Sequence, residues 1–210
     1  MATYNNGING PLKGKIGNVV AVNWRGVNHF RSLPEASAKP PTQKQLEHWK
    51  VFGMVSSWLK PLKDLIWIGF QTVTSGKTPM NEAISFVFRE ALKSEGTERE
   101  INFPMVVFSR GELFSSYIRE FSKLDSGLIR ITWQNGFSSA FHQENDRAIF
   151  IFYNVTKGKF ATYKEVADRG DQEALLQLPG GFAHDELHGY LFYMSMDGKA
   201  VSTTQYLGNL

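Results

Sequence analysis

The sequence predicts an α+β fold, in which an N-terminal β-hairpin and helices are followed by a C-terminal antiparallel β-sandwich. Three observations carry this prediction: two β-rich runs joined at Arg25-Gly26, helix signals between residues 40 and 92, and a series of short β-rich runs after residue 100. A chain of 210 residues is long enough for one large or two small domains. We expect two, residues 1–95 and 101–210, with the boundary in the polar, acidic segment Ser94–Glu100.

The N-terminal hairpin is predicted from the β-rich runs Val19–Trp24 and Val27–Leu33. The Gly-rich residues 1–17 before it predict an extended, flexible arm. Alternation places Val20, Val22 and Trp24 on one face of the first strand. Because an isolated two-stranded hairpin is marginal in water, we expect this one to dock on a partner. The candidate interface residues are Val20, Val22, Trp24, Arg25, Arg31 and Trp67. Trp67 is included as an exposed anchor, because the short run around it shows little hydrophobic periodicity.

Two helix starts stand out in the next block. Thr42, after Pro40-Pro41, is a good N-cap for a first helix whose apolar residues cover roughly two-thirds of the helical wheel. Lys60-Pro61 should kink or end this helix, because Pro removes a hydrogen bond and clashes with the preceding turn. Thr78-Pro79 opens a second helix with Pro at the favoured first position.

The C-terminal block is predicted to be all β. Leu128–Trp133 alternates and ends in a Trp, Ala148–Tyr153 is a denser apolar run, and Asp197-Gly198 is a strong tight-turn signal. The predicted strands are 101–109, 113–121, 128–133, 147–155, 159–167, 173–178, 188–196 and 200–206. Short strands at this spacing favour a sandwich of two antiparallel sheets.

Charge is distributed unevenly along the chain. Residues 1–65 carry nine Lys or Arg and three Asp or Glu, whereas residues 66–210 carry fourteen and seventeen. A basic front and an acidic rear favour head-to-tail association, or binding of the front to a polyanion. Chance variation in surface charge is the alternative explanation. Scattered Lys residues without a nucleic-acid motif argue against nucleic acid as a partner.

Composition narrows the class of protein further. The sequence has no Cys, which excludes disulfides, thiolate catalysis and Cys-ligated zinc. Residues Met1–Gly10 are polar, without the apolar stretch of a secretory signal, and the longest apolar run, Leu65–Phe70, is too short to span a membrane. We expect no membrane span and a location that is either cytoplasmic or in an exported particle.

No cofactor, metal or catalytic residue is predicted. His184 and His188 have the spacing of the zinc ligands in His-Glu-x-x-His proteases, but Asp185 replaces the Glu and no long helix fits before the next strand. His142 with Glu144–Asp146 is explained by a polar loop between strands as well as by an acid–base cluster. We therefore expect a protein that is not an enzyme, with a zinc hydrolase as the least favoured alternative.

The C-terminal block resembles a fibronectin type III domain. Leu128–Trp133 is similar to the second strand of that family, whose Trp packs in the core, and Leu176–Pro179 followed by Tyr190 is similar to its Leu-rich strand and tyrosine corner. The connection Gly180–Gly189 is longer than usual in the family. The resemblance implies an immunoglobulin-like sandwich over residues 127–208.

Several short segments carry a second resemblance, which extends over the whole chain. They are Gly14–Val20, Trp24–Gly26, Arg31–Pro34, Pro41-Thr42, Ser109–Leu113 and Ser202–Gly208. These segments are similar to an uncharacterised family from Bacteroidetes, a domain of unknown function that implies no activity. The Gly-rich hairpin followed by a Thr-capped helix is also similar to the N-terminal pattern of phage-related structural proteins.

Together these observations predict a non-enzymatic structural or assembly protein. We expect it to associate with itself, or with another structural protein, through the N-terminal arm and hairpin, as a subunit of a phage-derived or extracellular particle or filament. The alternative is a monomeric β-sandwich module that binds carbohydrate or protein ligands through the loops Asn135–Asp146 and Gly180–His188.

Overall fold

The computed structural model describes residues 3–4, 12–24, 26–35, 39–72, 76–95, 98–124, 127–183 and 185–210. The chain divides into two compact units, residues 1–46 and residues 47–210. The division into domains 1–95 and 101–210 stays a prediction from the sequence.

The first unit contains a four-stranded antiparallel sheet, in which the strands follow one another in chain order. These strands are β1 (Thr3–Tyr4), β2 (Leu12–Ile16), β3 (Val19–Trp24) and β4 (Val27–Ser32). The predicted hairpin is confirmed as β3 and β4. Its turn includes Gly26, whose φ of 83° favours glycine. The Asn23 side chain supports the turn by accepting the Gly26 N–H at 3.3 Å and donating to Asn28 Oδ1 at 2.7 Å.

Three α-helices form where capping residues precede apolar runs: α1 (Gln43–Leu59), α2 (Lys63–Gly69) and α3 (Pro79–Glu90). Thr42 and Gln45 form a capping box, in which each side chain accepts the other residue's backbone N–H. Pro61 lies in a 3₁₀ turn, Lys60–Leu62, that separates α1 from α2. Thr78 Oγ1 accepts the Asn81 N–H at 3.2 Å at the start of α3. Both predicted helix starts are confirmed, as is the break at Pro61.

The second unit adds nine strands to these helices. They are β5 (Leu92–Glu95), β6 (Glu98–Ile101), β7 (Tyr117–Lys123), β8 (Leu128–Gln134), β9 (Arg147–Asn154), β10 (Lys159–Tyr163), β11 (Glu173–Gln177), β12 (Leu187–Met194) and β13 (Gln205–Asn209). They form antiparallel sheets in the orders β10-β9-β12-β13, β11-β8-β7 and β5-β6. The fold is therefore mixed, with α-helices and several antiparallel sheets.

The four-stranded sheet of this unit is covered on both faces. Ile149 and Ile151 of β9 belong to a core shared with the three helices, whereas Phe150 and Phe152 belong to a second core shared with β8 and β11. Alternate residues of one strand point to opposite faces, so β9 lies between the two cores. This position explains why Ala148–Tyr153 is uninterruptedly apolar.

Some strand assignments made from the sequence are wrong. Residues 101–109 do not form one strand, because Phe103–Met105 is a 3₁₀ turn that contains Pro104, which has no N–H to donate. The N–H groups of Phe108 and Ser109 that follow donate to Thr204 Oγ1 at 3.0 and 2.8 Å. The Thr204 side chain therefore accepts the backbone N–H groups that a neighbouring strand would otherwise accept.

The boundaries of other strands differ from the prediction. The strand predicted at 113–121 is β7, which begins at Tyr117, and the strand predicted at 200–206 is β13, which begins at Gln205. The polar segment Ser94–Glu100 contributes to the β5–β6 hairpin. The tight turn at Asp197-Gly198 is confirmed by the Gly198 N–H, which donates to the Ser195 carbonyl at 2.9 Å.

Candidate assembly interface

The hairpin places most of the predicted interface residues on one face. The register of β3 and β4 pairs Val20 with Arg31, Val22 with His29 and Trp24 with Val27. Residues directly opposite one another in an antiparallel pair lie on the same face, so these three pairs share a surface. The structure thus brings together Val20, Val22, Trp24 and Arg31. Val20 and Val22 are half-buried, whereas Trp24 is 49% exposed.

Strand β2 extends this surface with two lysines. Lys15 lies opposite Val20, and Lys13 lies two residues earlier on the same face. We call the resulting surface the basic face; it consists of Lys13, Lys15, Val20, Val22, Trp24, Val27, His29 and Arg31. The sequence prediction missed both lysines, although the alternation in Lys13-Gly14-Lys15 carried the signal.

The basic face itself contains no acidic residue, and the nearest one after it in sequence is the exposed Glu35. Residues 1–34 contain four Lys or Arg and no Asp or Glu. At the end of the face next to the hairpin turn, Trp24 and Val27 expose 49% and 61% of their surface. A surface that combines exposed apolar and cationic side chains fits a partner that has apolar and anionic side chains.

The outer edge of β4 has backbone groups available for another strand. The Leu33 N–H donates to the carbonyl of Asn18, the residue opposite it, at 2.8 Å. Since hydrogen-bonded pairs alternate along an antiparallel ladder, Asn28, Phe30 and Ser32 direct their backbone N–H and C=O groups away from β3. β4 is the last strand of its sheet, contains no Pro and has one charged residue. It therefore lacks the usual protection against edge-to-edge pairing.

The first unit buries little apolar surface. Over residues 13–24, 26–35 and 39–46, Ala21 is the one buried hydrophobic residue. Phe30, opposite Ala21, is 65% exposed. A sheet needs a covered hydrophobic face to be stable, so this unit has the properties of a surface completed by a partner.

Two of the predicted interface residues lie elsewhere. Arg25 is outside the described residues. Trp67 belongs to α2 in the second unit, where it is 50% exposed while its neighbours Leu65 and Ile66 are buried. Trp67 is thus a half-exposed aromatic side chain on a helix whose other face is fixed in the core.

A second aromatic surface lies on the predicted ligand loop Asn135–Asp146. Phe137 is 98% exposed, and Phe141 packs against Phe114 with ring centroids 5.9 Å apart. The Phe114 N–H donates to the Phe141 carbonyl at 2.9 Å, which ties this loop to the segment before β7. The exposed aromatic rings are therefore held on an ordered loop.

The base of this loop is a buried ion pair that the sequence prediction missed. Arg169 Nε lies 3.0 Å from Asp146 Oδ2, and the Arg169 guanidinium lies 3.8 Å from the centre of the Tyr193 ring. Burial lowers the pKa of Arg169, while Asp146 opposes that shift. Burial also raises the pKa of Tyr193 to about 12. Asp146 and Arg169 are 23 positions apart in the sequence, so no local pattern predicts the pair.

His142 is buried beside this pair. Burial is the main cause that lowers its pKa, and the positive charge of Arg169 adds to the effect. His142 and Glu144–Asp146 lie in the loop between β8 and β9, as one of the two explanations from the sequence has it, and the side chains of His142 and Asp146 are buried there.

Of the two histidines with the spacing of zinc ligands, the structure describes His188, whereas His184 lies outside the described residues. His188 is buried, its ring stacks on Phe103 at a centroid distance of 4.3 Å, and its Nδ1 lies 2.7 Å from the Tyr206 hydroxyl. Burial lowers the pKa of His188. The described part of the chain holds no group of three or more His, Asp or Glu side chains placed to bind a metal ion.

Among the described residues, no helix is both long enough and apolar enough to span a membrane. No curated protein and no solved structure matches the chain. Residues 11–208 match the model of a family of unknown function, DUF6266. This match takes in the basic face, the helices and the sheets of the second unit, and the chain therefore belongs to DUF6266.

Proposed function

We propose that this protein is a non-enzymatic structural or assembly protein, which associates with further copies of itself through the N-terminal arm and hairpin. One observation carries the proposal: over residues 13–24, 26–35 and 39–46, Ala21 alone is a buried hydrophobic residue, although the unit forms a four-stranded sheet. Such a sheet gains its stability from covering a face. A second copy supplies the cover.

The free edge of β4 supports the mode of association. Strand addition uses backbone hydrogen bonds for affinity and side-chain contacts for specificity. Asn28, Phe30 and Ser32 provide the backbone groups, and the basic face provides the side chains. A hairpin that docks on a different surface of the next copy generates a ring or an open filament. We propose such a subunit role in a phage-derived or extracellular particle.

We also propose that the strands of the second unit form an immunoglobulin-like sandwich of the fibronectin type III kind. The orders β11-β8-β7 and β10-β9-β12-β13 support this, because the first, second and fifth of seven strands lie in one sheet and the other four in the second. Trp133 of β8 is buried between them, as the resemblance implies. A rigid sandwich is a suitable body for an assembly subunit.

Light scattering of the full-length chain over a range of protein and salt concentrations tests the assembly proposal. We expect an oligomer that dissociates as salt rises, because salt screens the charges of the basic face. The variant Lys13→Glu/Lys15→Glu/Arg31→Glu should remain monomeric. Its matched control, Lys60→Glu/Lys63→Glu/Lys159→Glu, changes net charge equally at exposed sites and should still assemble. A monomeric wild-type chain at all concentrations would contradict the proposal.

A second candidate function rests on the aromatic loop. Phe137 and Phe141 expose 98% and 45% of their surface on a loop anchored by the Asp146–Arg169 pair, and Phe114, in the segment before β7, exposes 56% beside them. Exposed aromatic rings on a rigid loop favour a binding module for carbohydrate or protein ligands. A glycan array separates the two functions. A specific signal that is lost in Phe137→Ser and Phe141→Ser supports the binding module. The absence of any signal excludes carbohydrate as the ligand.

A further inference from the structure

The three-stranded sheet of the second unit has an open edge at β11. The N–H of Trp133 donates to the Gln172 carbonyl at 3.0 Å and the N–H of Leu178 donates to the Gly127 carbonyl at 3.0 Å, and each pair lies opposite across β8 and β11. Hydrogen-bonded pairs alternate, so Glu173 and Leu175 direct their backbone groups away from β8. β11 is the last strand of its sheet. Its middle residue, Leu175, is 57% exposed.

We propose that the β4 edge of one copy adds as an antiparallel strand to the β11 edge of a second copy. This inference rests on the proposed function and names the acceptor surface. With Phe30 opposite Leu175, Ser32 lies opposite Glu173 and Asn28 opposite Gln177. All of these residues belong to the outward-facing sets of their strands, so the hydrogen-bonding patterns of the two edges match. The Gln177 carbonyl already accepts the Tyr163 hydroxyl at 2.5 Å, so the pairing depends on Glu173 and Leu175.

The side chains at the centre of this pairing are complementary. Phe30 is 65% exposed and Leu175 is 57% exposed, and both are the central outward-facing residues of their strands. Cross-strand pairs of aromatic and aliphatic residues stabilise antiparallel sheets. The contact removes two exposed apolar side chains from water at once.

Charge favours β11 over the edges at β10 and β7. Four exposed acidic residues lie on or just before β11: Glu165, Asp168, Asp171 and Glu173. Arg147 pairs with Glu165 and Arg130 with Glu173, at 2.6 and 2.8 Å. Asp168 and Asp171 form no ion pair within the described ranges, and each carboxylate accepts the other residue's backbone N–H. Their negative charge makes the approach to β11 acidic, which favours a strand from the basic first unit.

The edges at β10 and β7 are less suitable acceptors for a cationic strand. β10 begins at Lys159, with Lys157 and Lys164 close to its ends. β7 carries Arg119 and has an irregular register between Ile118 and Glu120, which disrupts an edge for pairing. A β4–β4 contact would bring two basic faces together. The contact between β4 and β11 joins different surfaces, so it propagates head to tail.

Disulfide trapping tests the acceptor directly, because the natural chain has no Cys. The single variants Ser32→Cys and Glu173→Cys are purified separately, mixed under oxidising conditions, and resolved on a non-reducing gel with mass spectrometry of the linked peptides. Cα atoms of a hydrogen-bonded antiparallel pair lie about 5.5 Å apart, within the range that a disulfide spans. We expect a covalent dimer that contains one chain of each variant.

Ser32→Cys mixed with Gln177→Cys is the matched control. Gln177 lies at the other end of β11, about 13 Å from Glu173 at the usual rise per residue, and should not be linked. Linkage to residue 177, linkage of Ser32→Cys to itself, or no linkage while light scattering still reports the oligomer would overturn the β11 assignment and leave the assembly proposal standing. A monomer that binds heparin through the basic face would overturn both.

Discussion

Arg169 Nε lies 3.0 Å from Asp146 Oδ2, and both side chains are almost completely shielded from solvent. Removing one member of a buried ion pair leaves the other charge without compensation. We expect Arg169→Met to lower the free energy of unfolding by about 3–5 kcal/mol. Chemical denaturation followed by Trp fluorescence measures this loss.

The exposed pair of Arg130 and Glu173, at 2.8 Å, provides the control. Solvent screens this pair, so Arg130→Met should cost about 1 kcal/mol or less. Equal losses for the two Arg variants would contradict the structural role assigned to the buried pair.

His142 predicts a pH dependence of stability. Burial and the nearby Arg169 charge hold its pKa in the folded state below the ordinary value of 6.5. The unfolded chain therefore binds a proton more readily than the folded chain as pH falls through 6.5, and stability decreases on the acid side. The contribution of neutral His142 to the free energy of unfolding is therefore fully present above pH 6.5.

Thermal unfolding at pH 7 and pH 5 measures this effect in the wild type and in His142→Gln. The variant should lose less stability between the two pH values than the wild type. His188 is also buried with a lowered pKa, so the double variant His142→Gln/His188→Gln should show a still weaker dependence. An unchanged pH dependence in both variants would exclude these histidines as its source.

Two glycines in helices should respond oppositely to replacement by Ala. A Cβ on Gly69 would lie 2.1 Å from the Phe108 carbonyl oxygen, so Gly69→Ala forces the segment after the 3₁₀ turn to move. We expect a loss of about 1–3 kcal/mol. A Cβ on Gly53 in α1 meets nothing within 4 Å, so Gly53→Ala should gain up to about 1 kcal/mol from helix propensity. Melting temperatures that shift in the same direction would contradict this packing.

Trp67 is predicted to contribute to association and little to folding. It is 50% exposed on α2, so Trp67→Ala should leave the free energy of unfolding within about 0.5 kcal/mol of wild type. If Trp67 anchors an interface, the association constant should fall at least about tenfold. The control is Met196→Ala, a 61% exposed residue in the turn after β12. Equal effects of the two variants on association would remove Trp67 from the interface.

Local signals in the sequence were sufficient for the elements that depend on neighbouring residues. Thr42 with Gln45 and Thr78 with Pro79 are capping pairs a few residues apart, and both begin helices in the structure. The β3–β4 hairpin depends on alternation and one turn, so its face could be assigned before the structure. The dense apolar run Ala148–Tyr153 predicts a strand, and β9 is that strand.

Features that depend on distant residues could not be predicted in this way. The Asp146–Arg169 pair joins two segments that only the folded sheets bring together. Residues 101–109 have the composition of a strand, but Thr204, almost a hundred residues later, accepts the N–H groups of Phe108 and Ser109. The acidic edge at β11 could not be predicted either, because the sequence does not show which strand lies at the border of the sheet.

The measurement that tests the central claim most directly is the solution mass of Phe30→Pro compared with that of Phe30→Ala. The Phe30 N–H points away from β3, so Pro at this position removes a group that only an added strand would use. Light scattering should report assembly for the wild type, weakened assembly for Phe30→Ala and a monomer for Phe30→Pro, with the circular dichroism of all three unchanged. Assembly of Phe30→Pro equal to that of Phe30→Ala would contradict strand addition at β4.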